Sequence, residues 1–290
     1  TAVTEEWLGP GQPVGAWSTG GNLNTGRNYI AGAGASNTAA LGFSGSPATA
    51  ITESYNGSAW TEVNDMNSAR EIVTGIGTQT SALGVGGIPP SALNESWNGT
   101  SWTEVGDLNT ARYGSGGAGV DNTSALAFGG TAGAVTGVTE SWNGTSWTEL
   151  NDLNTARDFL GGAGTQTSAL GFGGESTPSF LTAAESWNGT SWTSVASLNT
   201  GRNGVFSAGA DNTSALCSGG NAPPVSALTE EWNGSSWTET TDLNTARYIG
   251  GSGGIASSAI NFGGSAAPAA SAATEEWNNP SNVIKTITTS

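Results

Sequence analysis

One recurring phrase constrains the fold of this chain more than any other feature. In its clearest copy, residues 140–157 read ESWNGTSWTELNDLNTAR. Its first aromatic residue recurs at steps of 48, 42, 45, 45, 45 and 45 residues, at Trp7, Tyr55, Trp97, Trp142, Trp187, Trp232 and Trp277. A period of about 40 to 50 residues is typical of repeat proteins, whose units pack on one another into one body. We therefore expect a single domain over residues 1–290.

Each repeat has the pattern of four short strands. In the unit that starts at Arg112, a run of very small residues, 113–119, and an alternating run, 124–128, flank a turn at 120–123. Two glycines end the second run, and a third strand is predicted at 138–142. Asn143-Gly144 is a strong hairpin signal, and the fourth strand is predicted at 146–150. Four antiparallel strands per repeat predict an all-β fold, a β-propeller whose glycine-rich first strands converge on a central channel.

The number of blades depends on which motif is counted. Six arginines begin six repeats, at 27–69, 70–111, 112–156, 157–201, 202–246 and 247–290. The third-strand motif occurs seven times, because Trp7 and Trp17 form a further copy. We predict six blades with an additional N-terminal hairpin in residues 1–26, and residues 283–287 as the fourth strand of the last blade. Seven blades are the alternative.

The order of these residues resembles the kelch repeat over nearly the whole chain. An arginine, a small-residue strand, a strand ending in Gly-Gly, Glu-x-aromatic and Trp follow one another, although the hairpin before the last Trp is unusually short. The resemblance implies a kelch-like β-propeller. The phrase Glu-Ser-Trp-Asn-Gly-Thr-Ser-Trp is also similar to repeat proteins of marine bacteriophage and environmental bacteria, which favours a role on a virion or cell surface.

The charge balance excludes several classes of partner. The net charge is −16, and the seven basic residues are the six repeat arginines and Lys285. No basic patch is available for phosphates, so we expect no nucleic-acid binding and no attraction to anionic membranes. No apolar run is long enough to span a bilayer, so we expect no membrane insertion. Since the chain does not begin with Met, we expect it to be a processed product or an excerpt of a longer protein.

The residues that recur in phase are expected to hold the ring together. A guanidinium has five donors, so each arginine can tie a loop to a glutamate and to several carbonyls, whereas a ring of arginines around an anionic ligand is the alternative. The tryptophans are expected between blades, with an exposed sugar-binding platform as the alternative. These structural residues are Arg27, Arg70, Arg112, Arg157, Arg202 and Arg247, with Glu53, Glu95, Glu140 and Glu185, and Trp97, Trp102, Trp142, Trp147, Trp187, Trp192, Trp232 and Trp237.

No motif points to catalysis, a metal or a cofactor. The sequence contains no histidine, which removes the commonest general base and a common metal ligand. The repeat aspartates Asp65, Asp107, Asp152 and Asp242 are interpreted as turn residues, because calcium needs six to eight converging oxygens. The Asn-x-Ser/Thr sites are interpreted as hairpin turns, and Cys217 as a small buried residue. We therefore expect no enzyme, although an acidic pair acting on glycosides stays as a third possibility.

The loops after each double glycine differ most between repeats, in both length and sequence. They are 46–52, 88–94, 131–139, 175–184, 221–229 and 265–274, and we expect them on the same face as the arginine segments. Rigid scaffolds commonly carry function on such loops, so Pro89, Pro90, Phe180, Pro223 and Pro224 are candidate binding residues. The expected function is structural or adhesive, as a phage appendage or an extracellular module that contacts other virion or surface proteins or host glycans. A carbohydrate-binding lectin is the alternative.

Overall fold

The fold of the chain is known from a computed structural model that describes residues 15–266 and 269–279. Short strands separated by glycine-rich turns build this part of the chain, which contains no helix long and apolar enough to cross a membrane. In chain order the strands are β1 (Ala16–Thr19), β2 (Ala31–Ser36), β3 (Ala39–Phe43), β4 (Thr52–Tyr55), β5 (Trp60–Val63), β6 (Thr74–Thr78), β7 (Ser81–Val85), β8 (Asn94–Trp97), β9 (Trp102–Val105), β10 (Gly116–Asp121), β11 (Ser124–Phe128), β12 (Thr139–Trp142), β13 (Trp147–Glu149), β14 (Gly161–Gly164), β15 (Ala169–Phe172), β16 (Glu175–Ser176), β17 (Ser179–Phe180), β18 (Ala184–Trp187), β19 (Trp192–Val195), β20 (Phe206–Asp211), β21 (Ser214–Ser218), β22 (Thr229–Trp232), β23 (Trp237–Glu239), β24 (Gly251–Ile255), β25 (Ser258–Phe262), β26 (Ser265–Ala266), β27 (Ala269–Ala270) and β28 (Thr274–Asn278).

Six four-stranded antiparallel sheets form the blades of a β-propeller, as predicted. From the inside outwards they are β2-β3-β4-β5, β6-β7-β8-β9, β10-β11-β12-β13, β14-β15-β18-β19, β20-β21-β22-β23 and β24-β25-β28-β1, which we number as blades one to six. The innermost strands contact one another around the ring, since β2 packs against both β6 and β24. Their glycines allow this approach, because a Cβ added to Gly75 would lie 2.2 Å from the carbonyl oxygen of Gly32.

The N-terminal segment closes the ring, because residues 16–19 join blade six; residues 1–14, which hold the rest of the predicted additional hairpin in residues 1–26, lie outside the described residues. Strand β1 is the outermost strand of blade six, where Trp17 lies opposite Trp277 of β28. Closing the last blade with a strand from the other end of the chain leaves no broken blade at the junction. Trp7 and residues 283–287, the predicted fourth strand, lie outside the described residues.

The hydrophobic core lies between the blades. Each of six apolar clusters joins the second strand of one blade to the paired tryptophans, or their equivalents, of the next. In one cluster Leu41 and Phe43 of β3 pack against Trp97 and Trp102 of blade two, with the Phe43 and Trp102 rings 4.8 Å apart. The strand pattern of alternating small and large residues is therefore used to fill the wedge between neighbouring sheets.

The two faces of the ring carry different loops. On one, the arginine segments pair with the loops that follow the double glycines, as in the bridges Ser91 to Arg112 and Tyr113 to Thr131. We call this the strap face, and it includes loops 46–52, 88–94, 131–139, 175–184, 221–229 and 265–274. On the other, the hairpin face, the Asn-Gly turns lie beside the turns between first and second strands, so that Gly144 approaches Thr123.

Candidate functional site

Every arginine of the repeat is buried and paired with the glutamate of the third strand in its own blade. The pairs are Arg27–Glu53 at 2.6 Å, Arg70–Glu95 at 2.9 Å, Arg112–Glu140 at 3.3 Å, Arg157–Glu185 at 3.0 Å, Arg202–Glu230 at 2.8 Å and Arg247–Glu275 at 3.0 Å. Backbone carbonyls take further donors, as where Arg157 donates to the carbonyl of Ala183 at 2.9 Å. Burial lowers the pKa of Arg157, and the nearby Glu185 carboxylate opposes that shift.

The same glutamates also hold the strap of each blade, the segment that leads from the fourth strand of the preceding blade to the repeat arginine. Glu185 accepts hydrogen bonds at its second oxygen from the backbone N–H and the side-chain amide of Asn154, at 2.8 and 2.6 Å. That amide also donates to the carbonyl of Trp192 in the outer strand. Because each carboxylate joins an arginine, a strap and its own sheet, the repeated charges are used inside the blade.

The tryptophans are also used internally. Those of residues 15–279 are all buried, none more than 7% exposed. The third-strand indoles donate to backbone carbonyls, as Trp142 does to Asn122 at 2.9 Å. Four of the six fourth-strand indoles donate to a threonine of the preceding blade, as Trp102 does to Thr52 at 3.1 Å. Those of Trp147 and Trp237 have no partner among the described residues. Neither a ring of free guanidinium groups nor an exposed tryptophan platform is present in the described residues.

The candidate loop residues lie on the strap face. Pro89, Pro90, Pro223 and Pro224 are exposed at the tips of their loops. Phe180 is half-buried in the short hairpin β16–β17, where it pairs with Glu175. These residues belong to different blades, and no contact brings them into one site.

The mouth of the central channel on the strap face is a second, more compact candidate. The channel between the innermost strands has a volume of about 190 Å³, and the mouth adds a cup of about 110 Å³. Large side chains around this cup come from the position two residues after the arginine, namely Tyr29, Ile72, Phe159 and Ile249. Tyr29 and Phe159, from blades one and four on opposite sides of the ring, meet with ring centroids 6.4 Å apart.

Backbone hydrogen bonds join the mouth residues from blade to blade. The N–H of Tyr29 donates to the carbonyl of Ile249 at 2.7 Å, that of Ile249 to Gly204 at 2.8 Å, and that of Gly204 to Phe159 at 2.8 Å. Phe159 donates in turn to Gly114 at 2.8 Å, and Ile72 to Tyr29 at 3.3 Å. The mouth is therefore a rigid frame that fixes where its side chains lie.

The mouth residues adopt left-handed backbone conformations. Tyr29, Ile72, Phe159 and Ile249 have φ of 52°, 56°, 48° and 52°. A left-handed conformation costs a residue with a Cβ about 1–2 kcal/mol, and it is a genuine outlier for β-branched isoleucine. Such outliers cluster at functional sites, where the surrounding structure holds them in place.

A polar cluster adjoins the mouth at blades three to five. Asp158 is only 6% exposed, and one of its oxygens accepts the Thr131 hydroxyl at 2.5 Å. Glu175 is bridged to Asp158 through the backbone and accepts the side-chain amide of Asn203 at 2.8 Å. The ring of Tyr113 lies 6.3 Å from that of Phe159.

The ionisable groups of this cluster are perturbed. Burial raises the pKa of the Asp158 carboxyl, and the Thr131 hydrogen bond partly opposes the shift. Burial and the neighbouring Asp158 charge raise the pKa of Glu175. Burial raises the pKa of Tyr29, and the neighbouring Tyr248, Glu71 and Glu175 add to the rise. Perturbed groups of this kind mark candidate binding sites.

The mouth residues were not predicted from the sequence. A signal for them is nevertheless present in the aligned repeats, because the two positions after each arginine differ from copy to copy. The pairs are Asn28-Tyr29, Glu71-Ile72, Tyr113-Gly114, Asp158-Phe159, Asn203-Gly204 and Tyr248-Ile249. Chemical variation within an otherwise constant unit marks positions that the fold does not dictate.

The residues of the structure also define what chemistry is available. Within 15–266 and 269–279, no three His, Cys, Asp or Glu side chains lie together as a metal site requires. Three repeat aspartates accept backbone N–H groups at the start of third strands, as Asp152 does from Thr139 at 3.2 Å. These aspartates tie the segment after the fourth strand to the start of the third strand of the same blade.

Comparison with known proteins bears on the fold alone. No protein-family model and no curated protein matches the chain. The fold is similar to that of YjhT. That solved structure superimposes with a TM-score of 0.70 at 15% sequence identity, over 87% of this chain and 95% of YjhT. A likeness at this identity supports a β-propeller and carries no statement about activity.

Proposed function

We propose that the chain is a non-enzymatic structural and adhesive propeller, displayed on a virion or cell surface, that engages other surface proteins or host glycans. A phage appendage that mediates contact with the host is the form of this role that the repeat phrase favours. We further propose that the repeats are of the kelch type, on the order of arginine, double glycine, glutamate and tryptophan in each blade.

One observation carries this proposal, namely that the residues and loop lengths that differ between repeats are concentrated on the strap face. The repeated arginines, glutamates and tryptophans are buried between or within blades. The unequal loops and the variable mouth residues share the strap face, whereas the Asn-Gly turns of the hairpin face repeat with little change. A rigid ring that presents varied side chains on one face is suited to recognition.

The acidic composition supports display in solution. A net charge of −16 keeps particles soluble and repels other anions. Since all six arginines are neutralised by glutamates, the strap face gains no positive charge from them. Its partners are therefore neutral or cationic.

A carbohydrate-binding lectin is the alternative. The buried tryptophans do not support it, but Tyr29, Tyr113 and Phe159 surround the mouth beside polar groups, and aromatic faces of this kind stack on sugar rings. A glycan array separates the two, because a lectin binds isolated glycans, whereas a protein-directed adhesin binds peptides or proteins.

Display itself is tested with antibodies raised against the purified chain. They should label intact virions or unpermeabilised cells of the source. Labelling that appears only after the particles or cells are opened would contradict the proposal. A screen of glycoside substrates with Asp158→Asn and Glu175→Gln tests the third possibility, and we expect no activity that either change abolishes.

A further inference from the structure

The dipeptide Asn-Gly occurs six times in the chain, in two different surroundings. Asn203-Gly204 belongs to the rigid mouth of the channel, where Asn203 is half-buried and Gly204 is buried. The other five copies form the turns between the third and fourth strands on the hairpin face, and their asparagines are all exposed. These asparagines are Asn56, Asn98, Asn143, Asn188 and Asn233. Because the dipeptide is the same, a difference in its reactivity has to come from the fold.

Each of the five turns directs two backbone N–H groups at the side-chain carbonyl oxygen of its asparagine. In blade three, Oδ1 of Asn143 accepts the N–H groups of Thr145 and Ser146, both at 2.9 Å. The other four turns repeat this pair of hydrogen bonds at 2.9 to 3.0 Å. Two fixed donors on one carbonyl oxygen stabilise the negative charge that develops there when a nucleophile attacks the attached carbon, Cγ.

The backbone nitrogen of the following glycine is the nucleophile next to this carbon. Among the described residues, the glycine N–H of these five turns donates no hydrogen bond. The turn glycines have φ of 88° to 91°, so the five turns share one backbone geometry. Glycine has no Cβ, which leaves the approach of its nitrogen to the asparagine side chain unhindered.

Asn203-Gly204 lacks both of these features. The N–H of Gly204 donates to the carbonyl of Phe159 at 2.8 Å, so the nitrogen is held in the mouth. Oδ1 of Asn203 is buried and receives no donor from the described residues. The amide nitrogen of Asn203 donates to Glu175 at 2.8 Å. This copy therefore has neither a free nucleophile nor an activated carbonyl group.

We propose that the five Asn-Gly turns of the hairpin face are sites of spontaneous deamidation, and that the fold protects Asn203. The glycine nitrogen loses its proton to water and bonds to Cγ, and the bond from Cγ to Nδ2 breaks so that Nδ2 leaves as ammonia. Water then opens the cyclic imide at either carbonyl, which gives aspartate or isoaspartate. One water is consumed and one ammonia is released, with no oxidant and no cofactor.

The reaction adds negative charge to one face of the ring. Each conversion replaces a neutral amide by a carboxylate on the hairpin face and leaves the strap face unchanged. An aspartate keeps an acceptor for the two N–H groups of the turn, whereas isoaspartate lengthens the backbone of the turn by one carbon. The inference goes beyond the proposed adhesive role and does not depend on it.

The test follows each site by peptide mapping and mass spectrometry, because deamidation changes the mass of the peptide that carries the site. The whole chain is incubated in mildly alkaline buffer, folded in one sample and unfolded in guanidinium chloride in the other. In the folded chain we expect the five turns to convert at least about tenfold faster than Asn203. We expect them to convert no more slowly than in the unfolded chain, where Asn203 should react as they do.

One variant tests the donors on the carbonyl oxygen. The hydroxyl of Ser58 is a third donor to Oδ1 of Asn56, at 2.9 Å. Ser58→Ala removes this donor and keeps both backbone N–H groups, so it should slow the conversion of Asn56 at least about threefold, as for loss of one neutral hydrogen bond. Asn143 in the same sample is the internal control, and its rate should not change.

Three results would overturn the proposal. The first is equal conversion of Asn203 and the turns in the folded chain. The second is slower conversion of the turns in the folded chain than in the unfolded chain, which would show that the hydrogen bonds only hold the turn rigid. The third is an unchanged rate at Asn56 in Ser58→Ala. None of these results bears on target capture by the strap face, so this inference and the proposed function fail separately.

Discussion

Trp237 lacks the hydrogen bond that four of its five equivalents make, because Ala184 occupies the place of the accepting threonine. In four blades the fourth-strand indole donates to a threonine of the preceding blade, at 2.9 to 3.1 Å. The acceptors are Thr229, Thr274, Thr52 and Thr139, and Ala184 stands at the corresponding position of blade four. The Trp237 indole N–H is buried and has no partner among the described residues.

Ala184→Thr should therefore stabilise the protein. A hydroxyl at this position satisfies a buried donor, which is worth about 1 kcal/mol. Ala184→Val is the matched control, since it adds a similar volume and β-propensity without an acceptor. Urea unfolding of the two variants measures the difference. A valine variant as stable as the threonine variant would show that packing, not the hydrogen bond, is responsible.

Ser44→Gly should stabilise blade one. Ser44 has φ of 62°, and its buried hydroxyl has no partner among the residues that the structure describes. Glycine holds the same position in the other blades, as Gly129 does with φ of 68°. Relief of left-handed strain and removal of the unpaired hydroxyl should together gain about 1–3 kcal/mol.

The reciprocal change tests the same reasoning. A Cβ on Gly129 would lie 2.6 Å from the carbonyl oxygen of Arg157, so Gly129→Ser should lower the melting temperature. A melting temperature of Ser44→Gly below that of the wild type would contradict the argument.

Arg157→Ala should destabilise the protein strongly. It leaves the buried Glu185 carboxylate without its cation and the Ala183 carbonyl without its donor. Breaking one partner of a buried ion pair costs about 3–5 kcal/mol. The double variant Arg157→Ala, Glu185→Ala should lose less than the sum of the single losses, because the unpaired charge is gone. An unchanged melting temperature in Arg157→Ala would refute the structural role of the repeat arginines.

The charge of Asp158 should reduce stability near neutral pH. Burial raises its pKa above the ordinary value of 3.8, so the folded protein binds this proton more tightly than the unfolded chain does. The resulting stabilisation is fully present below that ordinary value and is lost as the pH rises through the raised pKa. Asp158→Asn should therefore gain stability over the wild type as the pH rises from about 4 to 7. Thermal unfolding of both proteins across this range measures the difference, and a constant difference would contradict the assigned shift.

The repeat made much of the architecture predictable. Glu140 and Arg157 recur in phase, and in-phase charges with no other partners have to be used within the unit. The alternation of small and large residues around Leu126 and Phe128 likewise predicted the second strand of each blade and the side chains that pack between blades. Residues of this kind are dictated by the fold, so each copy repeats the same information.

The parts that were not predicted depend on contacts between distant segments or on backbone conformation. Trp17 pairs with Trp277 across the whole length of the chain, and the long insertion after Trp7 obscures its phase. Phe159 and Asp158 carry no motif, and their importance follows from a positive φ and an unpartnered buried oxygen. Neither property is visible in a single sequence, although variation at the two positions after each arginine indicates where to look.

Face-specific masking tests the central claim most directly, namely that the strap face is the recognition surface. Burial raises the pKa of the Cys217 thiol to about 12, so the native cysteine should not react with a maleimide in the folded protein. Ala134→Cys on the strap face and Thr145→Cys on the hairpin face place an exposed thiol at opposite ends of blade three. Each variant is coupled to a maleimide-polyethylene glycol and applied to an array of glycans and lysine-containing peptides. We predict that the Ala134→Cys conjugate loses the binding that the unlabelled protein shows, while the Thr145→Cys conjugate keeps it. Loss of binding only in the hairpin-face conjugate, or equal retention by both, would contradict the account.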